Sequence, residues 1–155
     1  MNIKKMLEAQ KKLDEANLKK AGIEEYPIEE VKTAYRVELG ELLQEWKQFK
    51  FWKLSKGEID REKLLEEWAD CCHFALSLEN EEFQEVDAEE YKKDNFTAVP
   101  EIDIYQIIEI CFGVLISTVV DTIALGLKLG FTLEELEQAY YRKNKINWDR
   151  VNSNY

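Results

Sequence analysis

Two acidic motifs, Glu38-Leu-Gly-Glu41 and Glu67-Trp-Ala-Asp70, hold the side chains best suited to chemistry in this chain. At a spacing of i and i+3 on a helix, each pair projects two carboxylates from one face. Like charges so close repel and cost stability unless a cation sits between them. Two such pairs on antiparallel helices would make a four-carboxylate cage. Hard oxygen donors at that density suit Mg²⁺, which usually reaches an enzyme with substrate phosphates attached. The competing explanation is plain solvation. A chain with 32 Asp and Glu residues must contain such spacings by chance, as at Glu82/Glu85 and Glu134/Glu137.

The flanking residues favour the cage. Glu38 falls on a stripe with Val31, Ala34 and Leu42, and Glu67 and Asp70 share a face with Phe74 and Leu78. Paired carboxylates at the edge of apolar surface need cations, or some must stay protonated. Two further groups could supply what a phosphate ligand needs. In Lys50-Phe51-Trp52-Lys53, an aromatic ring could stack on a base and a lysine could reach a phosphate. Its ordinary alternative is a helix end packing on a neighbour, and that reading is preferred for Phe51. Near the C-terminus Lys143, Asn147 and Arg150 recur at i, i+4 and i+7 on one face, a phosphate clamp in a strongly acidic chain. Cations in a last helical turn also answer the macrodipole.

These groups need helices to hold them. Only two prolines and six glycines punctuate the sequence, and the intervals carry helical periodicity. The first helix covers residues 3–21 and stops at Gly22. Tyr26-Pro27 opens a second, with the stripe Ile28, Val31, Tyr35, Leu39, Leu42, Trp46 and Phe49. The third covers 59–78. Residues 80–100 are acidic and weakly periodic, read as a loop with a short helix that could act as a lid. A fourth helix, over 100–129, is apolar nearly all round and belongs in the middle of a bundle or at a subunit interface. Thr132-Leu-Glu-Glu135 is a capping box opening the fifth. The fold class is all-α: one domain over residues 1–155, a compact bundle of about five helices.

Composition narrows the partners. A net charge of -11 argues against nucleic acid and against anionic lipid, but not against a nucleotide carried by metal. The longest apolar run, 110–120, is closed by Asp121 and is too short to span a bilayer. No apolar signal core follows Met1, and Cys71, Cys72 and Cys111 read as reduced thiols, so a cytoplasmic location is expected. His73, the only histidine, is read as a structural hydrogen-bonding residue near the acids, since Mg²⁺ prefers oxygen. Asp121 is read as a supporting residue rather than a ligand.

Taken together, these residues resemble the all-α NTP pyrophosphatase superfamily, and within it the dimeric all-α dUTPase family. The superfamily hallmark, ExxE then ExxD, is matched by Glu38/Glu41 and Glu67/Asp70. Three more features of that branch are matched in order. They are Gln10-Lys-Lys-Leu13-Asp14 in the first helix, Lys50-Phe-Trp52-Lys53 after the first acidic motif, and Asp70-Cys-Cys-His73-Phe74 closing the second. A terminal Lys143-Asn144-Lys-Ile-Asn147-Trp-Asp-Arg150 completes the set. The family often continues Arg-Gln-x-x-Gly-Tyr, whereas this chain reads Arg150-Val-Asn-Ser-Asn-Tyr155, so contacts beyond Arg150 are not carried over.

The resemblance implies a homodimer that hydrolyses dUTP to dUMP and diphosphate by water attack on the α-phosphorus. By the same resemblance Glu38, Glu41, Glu67 and Asp70 hold two or three Mg²⁺ ions, and Glu38 orients or deprotonates the water. Lys53, Lys143 and Arg150 balance the leaving diphosphate. Gln10 and Asn147 contact the nucleoside, with Trp52 lining its pocket. A side-chain amide satisfies both edges of uracil, and packing against C5 excludes thymine. Two alternatives stand beside this: the same chemistry on another nucleotide such as dCTP, or a non-catalytic helical protein binding a basic regulatory partner.

Overall fold

The computed structural model describes residues 1–82, 99–113 and 118–153. Among these there are six α-helices and no strand. They are α1 (Ile3–Ala21), α2 (Ile28–Trp46), α3 (Arg61–Glu82), α4 (Ile104–Gly113), α5 (Thr118–Lys128) and α6 (Leu133–Asn152). Local signals set most of the ends. Asn2 caps α1 by accepting from the Lys5 amide, and Gly22 ends it in the left-handed conformation at φ 68°, where a side chain would be strained. Asp60 caps α3, its Oδ1 accepting from the amides of Glu62 and Lys63 at 3.1 Å each. The capping box of α6 is complete, with Thr132 and Glu135 exchanging both bonds. α2 ends earlier than its stripe predicts: Lys47 turns left-handed at φ 63°, leaving Phe49 in the following turn.

The predicted fourth helix is two helices. α4 and α5 pack against each other, which residues of one straight helix five or more positions apart do not do. An unbroken helix over 100–129 would run roughly 45 Å, beyond the roughly 30 Å of its partners, and would leave about a third of its length uncovered. Residues 114–117, between the two, lie outside the described residues. So do residues 83–98, on which most of the expected lid falls; 80–82 continue α3, and Val99–Glu101 form a single 3-10 turn.

The central helix is α3, which packs against α1, α2, α5 and α6. It buries Leu64, Trp68, Cys71, Cys72, Ala75, Leu76 and Leu78. Of the apolar segment, α5 packs into the bundle with Val119, Ile123 and Leu125 buried, whereas Tyr105, Ile110 and Phe112 of α4 are exposed. Trp68, next to Glu67, is pinned by a bond from Nε1 to the Thr122 carbonyl at 2.8 Å, and Tyr35 of α2 meets the Thr122 hydroxyl at 2.8 Å. These anchors set the rotation of α2 and α3 about their axes, and so the direction of their acids.

Gly126 makes that packing possible. A Cβ there would lie 2.7 Å from Trp68 Nε1 and 2.8 Å from Leu136 Cδ2. Gly126→Ala is therefore expected to destabilise the fold by about 1–3 kcal/mol, the usual cost of overpacking a filled core, measured by urea unfolding. Unchanged stability would show that the Trp68 seat is loose.

Candidate active site

Antiparallel packing of α2 on α3 places the two acidic motifs side by side. Carboxylate oxygens of Glu38, Glu67 and Asp70 all lie within 4.8 Å of one another. Glu41 is outside that trio but close enough for its charge to act on Glu38 and Glu67. The reason the acids face each other is the apolar stripe behind them: Tyr35, Leu39 and Leu42 are buried, and Glu38 flanks them. On α3, Trp68 and Ala69 face the core and Asp70 sits at its rim.

Crowding shows in the protonation of these groups. Burial first, then the charges of Asp70, Glu41 and Glu67, push Glu38 up to about 7. Glu67 is raised by burial and by Asp70 and Glu41. Asp70 is raised by burial, against the pull of Lys143. Lys143 Nζ reaches from α6 to Asp70 Oδ2 at 2.6 Å. An ammonium thus already answers part of the negative charge that the motifs accumulate.

Beside the trio lies a cleft of about 670 Å³, the size of a small-molecule site. Glu38 and Asp70 form its acidic wall. α1 contributes Gln10, Asp14, Asn17 and Lys20, α3 contributes His73, Phe74 and Ser77, and α6 contributes Asn147 and Arg150. Arg150 donates to Asn147 Oδ1 at 3.3 Å, and its charge acts on Asp70. Lys143, Asn147 and Arg150 therefore meet the acids from one face of α6.

Gln10 lines the cleft but is only 3% exposed, and both ends of its amide are engaged. Nε2 donates to Asp14 Oδ1 at 2.9 Å and to Ser77 Oγ at 3.1 Å. Oε1 lies 2.7 Å from His73 Nδ1 and 3.3 Å from the Tyr140 hydroxyl. His73 also stacks on Tyr140, with centroids 4.6 Å apart, and burial lowers its pKa to about 4, so the ring is neutral at physiological pH. That is the structural role its sequence context suggested.

Trp52 and Lys53 stand apart, in the connection between α2 and α3, and do not line this cleft. Trp52 is 61% exposed and meets Phe49 and Phe51 edge-on. Phe51, expected to pack on a neighbouring helix, is instead 86% exposed. Asp121 sits in the first turn of α5, its carboxyl raised by burial, and does not line the cleft either.

Sequence reasoning missed Asp14 and Ser77 as site residues. Asp14 is the most deeply placed acid of the cleft: burial pushes it up to about 6, against hydrogen bonds from Ser77 and Gln10. Ser77 Oγ donates to Asp14 Oδ2 at 2.7 Å. The signal was present. Asp14 is i+4 from Gln10, and Ser77 is i+7 from Asp70 and i+4 from His73, on the same helix faces.

Among the described residues the fold is all-helical, with an i,i+3 carboxylate pair on each of two packed helices, Lys143 on Asp70 and Arg150 in a nucleotide-sized cleft, an arrangement suited to metal-assisted hydrolysis of a phosphorylated small molecule. The family model described as dUTPase matches residues 2–155, and the chain belongs to that family. It is accordingly an enzyme, a nucleoside triphosphate pyrophosphohydrolase of the dUTP diphosphatase kind. No curated protein matches the chain. Among the described residues, no helix is long and apolar enough to cross a membrane.

Proposed function

We propose that the chain hydrolyses dUTP to dUMP and diphosphate in a Mg²⁺-dependent reaction, with water attacking the α-phosphorus. The observation that carries this reading is the Glu38/Glu67/Asp70 trio, with Lys143 bonded to Asp70, at the edge of a cleft lined by Glu38, Asp70, Asn147 and Arg150. The trio fits the metal: its donors are hard oxygens, they lie within 4.8 Å of one another, and Asp70 already holds a cation in Lys143. Glu38, Glu67 and Asp70, with Glu41 beside them, would hold two or three ions. When bound, Mg²⁺ supplies neutralisation of the triphosphate and acidification of the attacking water.

The chain's own residues do the rest. Glu38, on the acidic wall of the cleft, accepts the proton of the attacking water. Arg150 and Lys143 balance charge on the leaving diphosphate, Lys143 leaving Asp70 as the phosphates arrive. Asn147 contacts the nucleoside. Gln10 acts on it by holding Asp14, Ser77 and His73 in place, because its own amide is engaged. The Asp14 carboxylate keeps lone pairs beyond those used by Gln10 and Ser77. It accepts from the imide N–H that uracil has and cytosine lacks, while Phe74 offers an apolar face to the ring. Trp52 and Lys53, outside the cleft lining, are given no contact with the nucleotide in this reading. Residues 1–155 act as one domain in this reading, and a cytoplasmic homodimer would cover the exposed apolar side chains of α4.

A panel of dUTP, dCTP, dTTP and dATP assayed for diphosphate release with Mg²⁺ tests the substrate. The proposal expects kcat/KM for dUTP to exceed that for dCTP and dATP by about 10²-fold or more, the discrimination expected when a buried polar group is left unpaired by the wrong base, and to exceed that for dTTP through crowding of its C5 methyl. Equal turnover of dCTP would remove the role given to Asp14.

A further inference from the structure

Lys20 lies in the last turn of α1 and lines the cleft, yet its ammonium is turned to the end of α6. Nζ donates to three backbone carbonyls: Arg150 at 2.8 Å, Val151 at 3.0 Å and Ser153 at 2.6 Å. The last carbonyls of a helix have no partner within it, and a cation there also meets the negative end of the macrodipole. All three protons of the ammonium are used in this way, so none is left for a ligand. Two of the three carbonyls belong to Arg150 and Val151, which themselves line the cleft. α1 and α6 pack against each other along their length, but it is this cluster that joins their ends at the cleft.

We infer that Lys20 is a positioning residue: by capping the C-terminus of α6 it holds the last turn, and with it Arg150, against the acidic wall. This rests on the reading that Arg150 contacts the substrate phosphates. Lys20 itself touches no substrate. A direct phosphate ligand and a positioning residue differ in one respect. Removing a ligand adds to the loss of Arg150, whereas removing a support for Arg150 costs nothing once Arg150 is gone.

The experiment combines amide exchange with kinetics on Lys20→Met, Arg150→Ala and the double variant. Lys20→Met should exchange faster over residues 148–153 and show KM for dUTP raised about tenfold. The double variant should be no worse than Arg150→Ala. Unaltered exchange in Lys20→Met overturns the inference, as does a KM equal to wild type or a double variant that is additive. If Arg150→Ala alone turns over like wild type, the phosphate role of Arg150 fails. Lys20 is then judged on exchange over residues 148–153, faster in support of the capping and unaltered against it, and a raised KM in that case also overturns the inference, because it would act without Arg150. Lys20→Gln, which keeps a neutral amide with two N–H donors, gives the same readouts should Lys20→Met not fold.

Discussion

Asp70→Ala is expected to slow diphosphate release from dUTP by about 10²–10³-fold at saturating Mg²⁺, the range seen when one preorganised electrostatic partner is removed from an active site. Asp70 is the acid on which the site converges. It shares the 4.8 Å trio with Glu38 and Glu67, faces the cleft, and bonds Lys143 at 2.6 Å. Its loss removes an oxygen donor for the metal and frees the cation at the same time. The fold should survive, because opposing effects nearly cancel. Glu38 and Glu67 lose a repulsive neighbour, while a part-buried lysine loses its partner. The Lys143–Asp70 pair is part-buried, and the freed ammonium can turn its long side chain to solvent. Asp70→Asn keeps the shape and should be nearly as slow. Diphosphate release followed with a coupled assay, beside a thermal melt of each variant, separates lost chemistry from lost folding. Wild-type turnover by Asp70→Ala would mean that the trio does not hold the metal.

Glu38→Gln is expected to be stabilising without Mg²⁺ and deeply impaired in turnover. The stability effect follows from proton linkage. Glu38 titrates at about 7 in the folded protein, against 4.5 for an ordinary glutamate. Between those values the folded chain binds more protons than the unfolded one, so stability falls as pH rises, and the full penalty is present above 7. Glu67 and Asp70 are raised too and act in the same direction. Asp14, at about 6, has lost its contribution by neutral pH. His73 runs the other way, because its pKa of about 4 lies below the ordinary 6.5; it favours folding as pH rises to 6.5 and is flat beyond. From pH 6.5 to 8 Glu38 therefore sets the slope. The melting temperature of the chelator-treated protein should fall over that range by about 2–4 °C, roughly what 1 kcal/mol does to a domain of this size. Glu38→Gln should melt higher at pH 8 and show a shallower fall. Added Mg²⁺ should remove the fall in the wild type, since a metal binds the ionised carboxylates. Parallel slopes in the two proteins would mean that Glu38 does not carry the strain assigned to it.

Much of the fold was written in local signals. Gly22, Asp60 and the Thr132/Glu135 box act within a few residues of themselves, and a helix end encoded that way is readable without tertiary knowledge. The end of α2 was not, because Lys47 takes a left-handed conformation that its side chain does not advertise. The division of α4 from α5 was hidden for a different reason: continuous apolar periodicity is equally compatible with one long helix and with two that fold together. The identity of the central helix was masked by charge. α3 carries Glu62, Glu66, Glu67, Asp70 and Glu79, which makes it look like a surface helix, yet its other faces are enclosed by four neighbours.

The site divides along the same line. The acids and the α6 clamp were legible because helical spacing alone puts each set on one face, and the packing of α2, α3 and α6 brings those faces together. Spacing does not reveal that Gln10 spends its amide on four neighbours, that Lys143 pairs with Asp70, or that Trp52 and Lys53 stand away from the cleft. Those are facts about distances across helices and connections.

The reaction itself is tested most directly by hydrolysing dUTP in H₂¹⁸O with Mg²⁺ and weighing both products. Water attack on the α-phosphorus predicts one ¹⁸O in dUMP, unlabelled diphosphate and equal amounts of the two. Label in the diphosphate, or release of orthophosphate and dUDP, would contradict it.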